Sequence, residues 1–228
     1  MYTFFKYILT AFFLIPSISK GQDFFDNNYI DSCVKSLRLK QVDTIILFSP
    51  STNALVPNFD TIKGIGPIAI FSNDYLLYSH NSTNYIQKII KGSSGYNDSV
   101  KSVISKPLII HNDSLYKWLK LCIPKIKDEH FLPFVCKYKL NGMTVYDECG
   151  ESEALSYDII VYLKNDSIKK YFQEFVTRKT LMENSPKFSS YDRENLNYRY
   201  NSQTTLYKFY RRINKLIEVI DSRFDFQY

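Results

Sequence analysis

Glycine and proline are sparse in this 228-residue chain, at 7 and 8 residues, while 45% of it is apolar. That balance excludes collagen-like, low-complexity and intrinsically disordered proteins. No apolar run reaches the roughly 20 residues needed to span a bilayer. Only three histidines occur, His80, His111 and His130, so few imidazoles are on hand for acid–base or metal chemistry. No Cys-x-x-Cys pair marks a zinc or redox site, and no Gly-x-Ser-x-Gly marks a nucleophile elbow. Gly64-Ile65-Gly66 lacks a third glycine and leads through Pro67 into a strand-like run, so no phosphate cradle is supported.

The formal charge is +6, but two of the cations, Lys6 and Lys20, lie in a leader-like arrangement at the N-terminus. Without them 27 basic residues face 23 acidic ones, a net charge of +4. Nucleic-acid binding needs denser charge, and none is expected. Lys6 precedes an apolar stretch from Tyr7 to Ile15, Pro16 breaks it, and Ser19 and Gly21 sit at −3 and −1 before Gln22. This is the layout of a secretory signal peptide over residues 1–21, with a mature domain over 22–228. The expected protein is exported and soluble, periplasmic or extracellular, and meets a membrane only if the leader is retained.

Export places Cys33, Cys122, Cys136 and Cys149 in an oxidising compartment. Asn141-Gly142 lies between two alternating runs, the pattern of a two-residue hairpin whose turn positions need positive φ. In that register Leu140 faces Met143, Tyr138 faces Val145 and Cys136 faces Asp147. One face then carries Phe134, Cys136, Tyr138, Leu140, Met143, Val145 and Cys149; the other carries Lys137, Lys139, Thr144 and Glu148, with Val135 and Tyr146. The apolar face is expected to be buried, so a charge at Val145 should cost far more than one at Thr144. Cys136 and Cys149 are the best-placed disulfide pair, one diagonal step apart. Diagonal neighbours in a regular ladder lie about 7–8 Å apart, which favours free thiols unless a bulge or strong twist closes the gap.

Elsewhere, spacing predicts a helix over 28–41, a strand from Val42 to Phe48 ended by Ser49-Pro50, and a loop over 51–63. Two short strands, 67–71 and 75–78, are expected to join at a turn near Asn73-Asp74, and 85–90 fits strand or helix. Gly92 to Gly95 reads as a loop. Asn-Asp-Ser triplets at Asn97, Asn112 and Asn165 read as helix caps, giving a helix that Pro124 stops after Ile123 and another over 167–183. That second helix would bury Ile168, Tyr171, Phe172, Phe175, Val176 and Met182. A last amphipathic helix runs over about 203–221, with Lys208, Arg211, Arg212 and Lys215 on its outer side. The fold class is α+β: an antiparallel sheet including a 131–163 meander, covered by helices at 167–183 and 203–221.

Nothing in these residues assembles a catalytic site by itself. His111 and His130 precede Cys122 and Cys136 without a surrounding signature, and Asp128-Glu129-His130 are adjacent residues that cannot all face one ion. Asp147, Glu148, Glu151 and Glu153 lack calcium-loop spacing. Catalytic residues therefore stay unknown, and no cofactor or metal is expected. The segment 188–201 combines Tyr191, Tyr198 and Tyr200 with Arg193 and Arg199, residue types that anchor interfaces. The functional expectation is a non-catalytic binding protein with a protein or glycan partner. The alternative is an exported hydrolase whose site is assembled from distant residues.

Overall fold

A computed structural model describes residues 27–52, 58–62, 66–93, 101–150, 155–180 and 194–225. The leader, and with it Gln22, lies outside the described residues, as do Asn97, Met182, Glu151, Glu153, Tyr191 and Arg193.

The chain is α+β, built on one large antiparallel sheet. Helix α1 (Asn27–Leu39) leads into β1 (Ile45–Thr52), β2 (Asn58–Ile62), β3 (Gly66–His80), β4 (Thr83–Ser93), β5 (Lys101–Ile104) and β6 (Leu108–Ile109). Helix α2 (Asp113–Ile126) and the hairpin β7 (Val135–Leu140) and β8 (Met143–Glu148) follow. Then come β9 (Leu155–Tyr162), β10 (Ser167–Gln173), α3 (Tyr198–Gln203) and α4 (Thr205–Ile220). Strand order in the main sheet is β10-β9-β1-β3-β4-β5, with β2 added to β3 and β6 to β4.

Alternation in the central strands builds a core on each face, because successive side chains point to opposite sides. One face presents Ile46, Phe48, Tyr75, Leu77, Ile159 and Val161 to α2 and α4, which return Leu119, Ile123, Phe209, Tyr210 and Ile213. The other presents Ile45, Leu47, Leu76, Tyr78 and Ile89 to Ile30, Val34 and Leu37 of α1. Much aromatic mass is spent here: Tyr210 packs on Tyr157 with ring centroids 4.7 Å apart and on Phe172 at 5.2 Å. The apolar stripe expected for the last helix is the buried one, and its four expected outer cations are exposed.

Several expected boundaries move. β1 continues through Pro50, which sits where the strand keeps β9 but has passed its ladder with β3, an edge-like position that tolerates proline. The expected loop over 51–63 contains β2. β3 runs unbroken through Asn73-Asp74, with only a register shift between Ile70 and Ser72, because pairing with β4 overrides local turn preference. β4 settles 85–90 as strand and extends over Gly92 and Ser93. Asn112 caps α2 as expected, its side chain accepting from Leu115 N. Pro124 does not stop that helix, since Ile126 is fully buried one turn past Cys122 and packing holds the last residues helical.

The largest correction concerns 167–183, which is strand and not helix. β10 pairs with β9, and a 3-10 turn over Glu174–Thr177 follows. Ile168 and Phe172 are four apart, which suits a helix face and equally a strand's alternate positions. The residue between them on the strand's inner side is Lys170, whose polarity hides the alternation. Its ammonium donates to the Lys127 and Glu129 carbonyls at 2.8 and 2.6 Å. The Asn165 triplet forms the β9–β10 turn instead of a cap, with Leu163 N bonded to Asp166 O.

The 131–163 meander is also divided. β7 and β8 form their own two-stranded sheet, while β9 pairs with β1 and β10. The hairpin register is the one expected, and both turn residues have positive φ, 50° at Asn141 and 78° at Gly142. Cys136 and Cys149 are disulfide-bonded with Cα atoms 6.2 Å apart, against the expectation of free thiols. Two-stranded ribbons twist more strongly than wide sheets. Cys149 lies just past the last ladder residue while its N–H still reaches Phe134 O.

Candidate functional site

Two places outside the apolar cores gather chemistry-bearing groups. The first is the α1-side face of the sheet, beyond the reach of the helix. There the alternation that supplies Ile45 and Leu47 continues into Ser49 and Ser51, which pair across to Asp158 and Ser156 on β9. Ser51 and Ser156 hydroxyls meet at 2.7 Å. On β3 and β4 the same face carries Ser72, Asp74 and Lys91, with Asp74 and Lys91 in a 3.2 Å ion pair whose side chains are each 3% exposed. Among the described residues buried Ser72 Oγ lacks a hydrogen-bond partner, and Asp74 Oδ2 has only its ion-pair contact with the Lys91 ammonium.

Asp158 completes this polar strip. Burial raises its carboxyl pKa above the ordinary value, and the nearby Asp74 charge raises it further. Two carboxylates thus share one face, but Asp74 is sealed from solvent and cannot reach a substrate. A raised folded-state pKa means the ionised form is disfavoured in the fold, a penalty present at neutral pH and lost as pH falls through that value. Asp158→Asn is therefore expected to raise the melting temperature at pH 7, with the gain shrinking toward pH 3. A gain independent of pH would show that the carboxyl carries no such penalty.

The second place is the β7–β8 hairpin. Among the residues of its apolar face whose side chains are described, those at the base are buried, where Phe134 and Cys136 pack with Phe175 and the partly buried Cys149 and Val176; Tyr138 and Leu140 lie outside that description. Outward along the same face Val145 is half-buried and Met143 is 67% exposed. The expectation of a buried apolar face therefore holds at one end only, and the contrast between Val145 and exposed Thr144 is smaller than expected. On the opposite face Tyr146 is 61% exposed, with the Lys137 ammonium 5.9 Å from its ring centre. Among the described residues β8 has no second strand beside it, whereas Val135 O on β7 accepts from Leu196 N at 3.0 Å.

Two asparagines that the sequence did not single out tie together the segments beside the hairpin base. Asn201 is fully buried; its Oδ1 accepts from Leu132 N, and its Nδ2 donates to Leu132 O and Val176 O, each at 2.9 Å. Asn195 Nδ2 donates to Val176 O and Arg178 O at 3.2 Å. These asparagines also set Leu196 and Tyr200, both 47% exposed, beside the hairpin base. Of the expected aromatic and basic segment, Tyr200 and Arg199 are exposed and Tyr198 is half-buried.

The remaining sequence candidates separate. Cys122 is buried in the core and Cys33 half-buried on α1, and burial raises both thiol pKa values, so neither is an activated nucleophile. His111 and His130 are exposed, and His80 ends β3 beside Lys40 and Gln41. Glu129 caps α4, accepting from Thr205 N at 3.0 Å and Leu206 N at 2.6 Å, while Asp128 faces solvent. Asp147 and Glu148 are exposed on β8. Comparison with protein families, characterised proteins and solved structures finds no match to this chain.

Proposed function

We propose that this is an exported protein that acts by binding, and that its partner is a protein seated against the β7–β8 hairpin. The observation that carries this reading is exposed Met143, next to half-buried Val145 at the outer end of the hairpin's apolar face, on a ribbon tied by a disulfide. Such a ribbon is rigid before binding, so little ordering entropy is lost when a partner docks. The outer edge of β8 offers main-chain donors and acceptors of the kind that extended peptides use to add a strand. Met and Tyr are also residue types enriched at interface cores. Export is supported by the signal-like leader and by the disulfide, which suits a periplasmic or extracellular compartment. Exposed Tyr146 and Tyr200 support a glycan as the second reading, since their rings can stack on sugars.

A photo-crosslinking side chain placed at Met143 in the native host tests this. A discrete protein adduct is expected there and not with the same group at exposed Lys169 on β10. A Tyr146→Ser change should weaken the adduct severalfold. Equal labelling at both positions would defeat the hairpin as the docking site, and a sugar-dependent signal on a glycan array with no adduct would select the second reading.

A further inference from the structure

We propose that the outer layer formed by α2 and α4 docks on an anionic lipid bilayer. Both helices cover the same face of the sheet and pack on each other, with the Trp118 and Phe209 rings 6.5 Å apart. Their solvent sides therefore form one broad surface. On α2 this surface carries Lys117, Lys120 and Lys125; on α4 it carries Lys208, Arg211, Arg212 and Lys215, all exposed. At the seam the Arg212 guanidinium lies over the Trp118 ring at 3.8 Å. Among the described residues none of these seven cations has an ion-pair partner.

The acids nearby do little to offset them. Glu129 is spent on the backbone of α4, Asp113 accepts from Asn84, and Glu218 accepts from Asn214. Asp128 at the foot of α2 and Glu218 near the end of α4 leave a strong positive excess. Charge alone would suit any polyanion. Two aliphatic side chains decide for a bilayer. Leu121 is 75% exposed, one helical turn from both Lys117 and Lys125, and Val219 is 65% exposed one turn beyond Lys215. A cationic helix face with exposed aliphatic groups can seat them among lipid headgroups while its cations meet the phosphates. A soluble polyanion offers those aliphatic groups nothing. This contact differs from the hairpin reading in location and chemistry, and it does not require the leader.

Vesicle sedimentation with the full chain tests it, using phosphatidylcholine vesicles with and without phosphatidylglycerol. Neutral vesicles register whatever the apolar N-terminal segment contributes. Binding to the anionic vesicles is expected to be at least about tenfold tighter and to fall steeply with added salt. The combined variant K117E, K125E, R211E and K215E should reduce binding to the neutral-vesicle level. Leu121→Ser should weaken anionic binding severalfold with an unchanged melting temperature. Equal binding to both vesicles, or no salt dependence in the unmodified chain, would overturn the proposal even if the charge variant fails to fold. Efficient competition by heparin together with an inert Leu121→Ser would reassign the surface to a soluble polyanion.

Discussion

Lys91→Met is expected to lower the unfolding free energy by about 3–5 kcal/mol, the cost of stranding a buried charge. Lys91 and Asp74 are sealed together between β3 and β4, with 3% side-chain exposure each. Removing the ammonium leaves the Asp74 carboxylate in a dry site near the Asp158 carboxyl, whose pKa already rises through burial and the Asp74 charge. Among the described residues Asp74 Oδ2 has no hydrogen-bond donor to replace the Lys91 ammonium. The double variant Asp74→Asn with Lys91→Met should recover much of the loss, because no charge is then stranded. Urea unfolding of the two variants reads the difference. A Lys91→Met penalty under about 1 kcal/mol, or a double variant less stable than the single one, would show that the pair is solvated.

Asn201→Ala is expected to cost about 3–4 kcal/mol and to act first on the hairpin. The fully buried side chain serves three partly buried main-chain groups, Leu132 N, Leu132 O and Val176 O. Each group left unpaired beside the buried cavity costs about 1–3 kcal/mol, although Val176 O keeps its bond from Asn195. Asn201→Asp should do no better, because two of the three partners are carbonyls that need a donor. Hydrogen exchange should show amides of β7 and β8 opening ahead of those in β1 and β9. Uniform opening of the two sheets, or a stability loss near zero, would refute the asparagine clamp.

What the sequence made legible was local. The hairpin register followed from two turn residues and the alternation around them, and α4 followed from its apolar stripe. The failures are non-local. Lys170 occupies an inward strand position because carbonyls at Lys127 and Glu129 receive it, so its alternation reads as broken until those partners are known. Asp74 looks like a turn former because Lys91 lies on another strand. Glu129 looks like a loop acid beside His130 because the helix it caps begins at Thr205. The same limit applies to the candidate site. Met143 and Tyr146 were visible on the hairpin, but their exposure depends on where the body ends. Asn195 and Asn201 carried no local signal, since their partners are main-chain groups far along the chain.

The placement of β1 has a consequence for the time course of folding. β1 lies between β3 and β9, and the hydroxyls of Ser51 and Ser156 that meet across the β1–β9 pair are 105 residues apart in sequence. A chain emerging from its N-terminus can pair β1 with β3 early, but the other edge of β1 waits until β9 arrives. That edge belongs to Ile45, Ile46, Leu47 and Phe48, among the most buried residues of the native protein. Pairing across such a separation is intrinsically slow, and an open apolar edge is the template on which chains aggregate. Yield of native protein should therefore depend on keeping nascent chains dilute or shielded during synthesis, more than on native stability.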